Sequence, residues 1–228
     1  MLLTSFVSMD AMKNIPYLRS ALASLSDIAV MLLLISLVQR QSLSELLAIT
    51  GLRGPWSPAF IWIVLVIAPA GLVCLLAAKF SPDLSVPALA WLGIGGPIAE
   101  EIVYRGLAIG VLMQLCGWKF LPACLLPALF FGFAHFSQGS DLESTLGIVA
   151  ITGAGGLLFG WLFVRWGYNL APPLLLHVAM NSLFVLFDLG DNAIGSWLLN
   201  GLRIAIVAIA IGATLKFAPT RNIGASSS

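Results

Sequence analysis

The chain concentrates its chemistry in three short stretches: "IAEEIVYRGL" at 98–107, "FFGFAHF" at 130–136 and "LLLHVAMN" at 174–181. They supply two adjacent glutamates, Glu100 and Glu101, with Arg105 four residues on, the chain's two histidines, His135 and His177, and Asn181 one helical turn beyond the second. A carboxylate and an imidazole can each take up and return a proton, and an amide side chain can donate a neutral hydrogen bond. Together these groups suit the attack of water on a peptide carbonyl. All three stretches lie in strongly apolar surroundings. An ionisable side chain near the centre of a bilayer costs about 2.5–3.5 kcal/mol on insertion scales, so a chain keeping this many there is expected to use them.

Helix geometry divides the charges. Residues four apart share a face and neighbours are rotated by about 100°, so Glu101 is the expected partner of Arg105, whose guanidinium fork can hold a carboxylate bidentately. Glu100 is left without the arginine, with Tyr104 one turn away as its expected hydrogen-bond partner. Glu100, His135, His177 and Asn181 fall on three separate apolar runs, and polar groups surrounded by lipid gain most by meeting one another. The expectation is a polar cluster enclosed by helices.

Those helices follow from composition. Of 228 residues, 60% are hydrophobic and 9% charged, against about a quarter charged in a soluble domain. The fold class is therefore an all-α, polytopic integral membrane bundle of about seven transmembrane helices, expected near 21–38, 58–80, 86–110, 119–137, 145–164, 171–188 and 197–216. Residues 1–20 are expected to form a surface segment. Residues 21–85 should hold accessory helices, with an interfacial amphipathic piece in "QSLSELLAITGLRG". A catalytic four-helix core would span 86–188, followed by a last span at 189–216 and a disordered tail at 217–228. Nucleic-acid partners are excluded by a net charge of +1 with scattered basic residues.

Finer features carry further expectations. The loops 39–57, 111–119 and 165–170 and the C-terminus collect Arg40, Arg53, Lys119, Arg165, Lys216 and Arg221, so they should share one face, the cytoplasmic one. Gly106 with Gly110, and Gly156 with Gly160, have the four-residue spacing that lets membrane helices approach closely, and the fifth span is expected to be central. Pro97, Pro122 and Pro127 should bend their helices. Cys74, Cys116 and Cys124 lack paired spacing and read as small buried hydrophobes. Asp27 and Arg203 are expected either to pair across the bundle or to face a water-filled groove. "DLGD" at 188–191 reads as solvated loop acids.

The three stretches have the forms EExxxR (Glu100, Glu101, Arg105), FxxxH (Phe131, His135) and HxxxN (His177, Asn181), in that order and on separate spans. In this the chain resembles the CAAX-protease and bacteriocin-processing (Abi) family of intramembrane endopeptidases, related to the type II CAAX prenyl proteases. The resemblance covers about 86 to 188. It implies that Glu100 and His135 activate the attacking water, that His177 and Asn181 bind the oxyanion, and that Glu101, Arg105, Tyr104 and Phe131 support the site. No cofactor is favoured; the alternative is a zinc ion on Glu100, His135 and His177. The expected partners are the lipid bilayer and a membrane-associated substrate: a prenylated CAAX protein, a bacteriocin-type leader or a regulatory membrane peptide. The competing readings are an inactive membrane scaffold or immunity protein, and a proton-coupled transporter, for which no convincing internal repeat is found.

Overall fold

In hydrocarbon every backbone N–H and C=O must find its partner within the protein, so each apolar run is driven into a helix. The computed structural model describes residues 15–190 and 192–219. Most of the expected N-terminal surface segment, and the tail from 220 onward, lie outside the described residues. The helices are α1 (Leu18–Gln39), a short α2 (Leu43–Ile49), α3 (Trp56–Ala77), α4 (Val86–Gln114), α5 (Phe120–Ala134), α6 (Leu142–Arg165), α7 (Ala171–Leu186) and α8 (Trp197–Phe217). Six are long and apolar enough to cross a membrane. The chain is an all-α, multi-pass membrane protein.

The seventh apolar helix, α7, has 16 residues, about 24 Å at 1.5 Å per residue, and falls short of a bilayer core of about 30 Å. It tolerates this because protein surrounds it: α7 packs against α3, α4 and α6, and its first half is buried. Both α3 and α7 stop before the ends expected from hydropathy. Phe80 and Phe187 form an antiparallel bridge with stacked rings 5.0 Å apart, and Ser81 N–H donates to Leu186 O while Asp188 N–H donates to Lys79 O. These bonds replace the helical ones that the last turns would have made.

The basic loops do share a face. Gln39 Nε2 lies 3.8 Å from Cys116 Sγ, Gln114 Nε2 donates to Ile49 O at 3.1 Å, Leu170 N–H donates to Gly51 O, and Arg165 Nη1 donates to Pro219 O at 2.8 Å. On the opposite face Asp141 caps α6. Its carboxylate accepts from the Ser144 N–H at 2.8 Å, and that bond, with those from the Ser140 and Ser144 hydroxyls, holds its pKa below the usual value. The stabilisation is present above the ordinary carboxylate range and is lost as pH falls through the lowered value.

The glycine pairs have different roles from each other. Gly156 and Gly160 admit α5 and α4 to the surface of α6: a Cβ at Gly156 would stand 3.1 Å from Ala128, and one at Gly160 2.9 Å from Ile109. Gly106 and Gly110 instead seat the short α2 and its end, with Thr50 and Ile49 backbone atoms 3.2 and 3.0 Å from the built Cβ positions. The segment expected at the interface is thus docked on α4, with Leu46 and Thr50 buried. Cys74 and Cys124 are buried, but Cys116 is exposed, because α4 ends at Gln114 and leaves it in the connecting loop.

Pro97 shapes α4. The helix widens to a π geometry over Leu89–Gly95, where Gly96 N–H reaches back five residues to Trp91 O. Pro97 has no N–H to give to the next carbonyls in line, Leu92 and Gly93. Side chains of α7 take them instead: Asn181 Nδ2 donates to Leu92 O at 3.2 Å and Ser182 Oγ to Gly93 O at 3.3 Å. Ser182→Ala should therefore lower stability by about 1 kcal/mol, measured by thermal unfolding in detergent. In a Pro97→Ala background, where a backbone donor is restored, the same substitution should cost less. Equal costs in the two backgrounds would refute this account of the kink.

Candidate active site

Glu100 and Glu101 end the regular turn Gly96–Glu101 of α4, immediately before a second wide stretch, Ile102–Ile109. Adjacent residues on a helix face different ways, and here the difference is between sealed and open. The Glu101 side chain has 0% exposure and that of Glu100 36%. Glu101 Oε1 accepts from Arg105 Nη1 at 2.7 Å and from His177 Nδ1 at 2.8 Å. The expected bidentate fork is absent: both donors use one oxygen, and Oε2 is buried with no partner among the described residues. The competitor for the carboxylate is His177, brought in by α7.

Arg105 is 1% exposed and closes the back of the site. Its guanidinium lies between the rings of Phe131 and Phe159, 4.8 and 5.1 Å from their centroids, with Nη2 3.5 Å from Gly156 O. Aromatic faces attract a cation most strongly where water is excluded. Phe159 also stacks on His177 at 5.0 Å. Sequence reading missed Phe159; its only signal is its place one turn after Gly156 and immediately before Gly160.

His135 is positioned by the end of α5. The helix stops there, His135 N–H turns back to Gly132 O, and the Phe131 carbonyl accepts from His135 Nδ1 at 2.7 Å. A carbonyl can only accept, so Nδ1 carries the proton and the neutral ring presents the Nε2 lone pair. The Phe131 ring stands edge-on to His135 at 4.8 Å and to Tyr104 at 5.0 Å. Since α5 proper has 15 residues, about 22 Å, its end need not reach the far surface. His135 comes level with Glu100, and both line one cavity of about 190 Å³ together with Tyr104, Phe131, Ser24 and Asp27.

His177 joins this cavity to the sealed pair. Its Nε2 lies 3.7 Å from Glu100 Oε2 while its Nδ1 is held by Glu101. Each ring nitrogen thus has a carboxylate oxygen beside it. Asn181 stands one turn further along α7 and has spent one amide N–H on Leu92 O. It does not line the cavity. Tyr104 lines it but forms no hydrogen bond with Glu100 among the described residues. Asp27 and Arg203 do not pair: Asp27 faces the cavity, and Arg203 donates to Asn200 Oδ1 and Ala193 O.

Among the described residues no group of three His, Cys, Asp or Glu side chains is placed to hold a metal ion.

Residues 82–183 match the family model described as type II CAAX prenyl endopeptidase Rce1-like. Searches of curated proteins and of solved structures returned no match. The matched residues contain all three motif stretches and every side chain of the cavity except the two from α1. Over this core the chain is similar to the type II CAAX prenyl endopeptidases, which supports its placement in the CAAX-protease family.

Proposed function

We propose that the chain cuts membrane-associated peptides with a water molecule activated by Glu100 and His135. The observation that carries this reading is the contrast between neighbours: Glu101 is sealed in an ion pair, whereas Glu100 opens with His135 into a cavity large enough for water. Water held between the Glu100 carboxylate and His135 Nε2 loses a proton to them as its oxygen attacks the scissile carbonyl carbon. The carbonyl oxygen becomes an oxyanion. His177, oriented through Nδ1 by Glu101 and with Nε2 toward Glu100, is the donor proposed for it. Collapse breaks the C–N bond, and the proton taken from water passes to the departing amine. Glu101 and Arg105 hold His177 and never enter the reaction.

The face carrying the basic loops and the C-terminus is proposed to be cytoplasmic. The test of function is incubation of the detergent-purified protein with a panel of membrane-associated peptides, followed by mass spectrometry of the products. The expected result is a discrete internal cut, insensitive to a strong zinc chelator. A panel left intact by folded protein would count against proteolysis, and chelator sensitivity would overturn the metal-free mechanism.

A further inference from the structure

Asp27 lies about halfway along α1, a helix with Ser26 as its only buried residue. A carboxylate at that depth is expensive when it faces hydrocarbon. Asp27 is exposed and stands at the open side of the cavity that Glu100, Tyr104 and His135 also line. No ion pair or hydrogen bond engages it among the described residues, and no lysine or arginine lines the cavity. Arg105, which belongs to the same stretch of α4, is committed to Glu101.

The cavity therefore holds two carboxylates in about 190 Å³ with no resident cation. Its remaining wall is apolar and aromatic: Ala99, Val103, Ala134 and the Phe131 ring. A guest complementary to both features has a long apolar stem ending in a positive charge. For scale, a cavity of about 150 Å³ accepts a benzene-sized guest, so the space takes one side chain of this kind, with the peptide backbone at its open side.

The geometry points to Asp27 as a specificity-determining residue that receives a lysine or arginine side chain of the substrate next to the scissile bond. This rests on the proteolytic reading above and names its substrate class: membrane-associated peptides with a basic residue at the cleavage site. Because Asp27 comes from α1, outside the matched 82–183 core, the preference would belong to this chain's accessory helix and not to the catalytic core.

The test uses N-acetylated peptides identical except for Lys, Met or Glu beside the cut, so that no free amino terminus supplies the cation. The ratio of kcat/KM for the Lys over the Met peptide should exceed tenfold for the unaltered protein and fall at least tenfold in Asp27→Asn. Asp27→Lys should invert the order in favour of the Glu peptide. A ratio unchanged in both variants would overturn the proposal. Equilibrium binding of the same labelled peptides to a Glu100→Gln protein, with and without Asp27→Asn, separates the two ideas. A Lys preference in binding that depends on Asp27, when the unaltered protein cuts none of the peptides, supports the subsite and removes the protease. Binding that ignores Asp27 removes the subsite whatever the protein cuts.

Discussion

Glu100→Gln is expected to reduce peptide cleavage by about 10²–10⁴-fold, the range lost with a general base, while the unfolding temperature stays close to that of the unaltered protein. The amide keeps the shape of the side chain but cannot accept a proton. Glu100 is partly exposed and its one partner at ion-pair distance among the described residues is His177, 3.7 Å away, so its carboxylate contributes little to holding the bundle together. Steady-state kinetics with a cleavable peptide, alongside thermal unfolding in the same detergent, measures both quantities. Loss of activity accompanied by an equal loss of fold would leave Glu100 a structural residue and defeat the assignment.

The adjacent glutamate should behave in the opposite way. Glu101→Ala strips the acceptor from two buried donors, Arg105 Nη1 and His177 Nδ1, and leaves a guanidinium with 1% exposure unpaired between two phenyl rings. Breaking a buried pair by removing one partner costs about 3–5 kcal/mol. Activity should fall with stability, since His177 loses the group that orients it. Glu101→Gln retains an acceptor oxygen and should fall between the two in unfolding experiments. Should Glu101→Ala unfold like the unaltered protein, the sealed ion pair would not be the structural anchor described here.

The sequence revealed most about what is local. Glu101 and Arg105 are four apart, and helical spacing alone joins them. Seven apolar runs became seven helices with boundaries displaced by a few residues, because hydrocarbon leaves the backbone no alternative. What depends on how helices rotate against one another was not legible. Nothing in the spacing of His177 and Asn181 says that the first reaches Glu101 and the second Leu92. The Leu92 contact goes with Pro97, whose missing N–H leaves carbonyls of α4 for α7 side chains to take. The wide turns also invalidate a strict 100° per residue for this helix. Gly106 and Gly110 carried a correct signal of close approach but no indication that the neighbour is the short α2. Asp27 stood out as a charge in an apolar span; only the packing of α1 on α4 shows what it faces.

The most direct test of the account is a single turnover in heavy-oxygen water, with mass spectrometry of both the cleaved peptide and the protein. Water activated by Glu100 and His135 attacks the peptide itself, so one heavy oxygen should enter the new carboxyl terminus and none should enter Glu100. Heavy oxygen in the Glu100 side chain would mean that the carboxylate attacks the peptide and is later hydrolysed, which contradicts the proposed role of water.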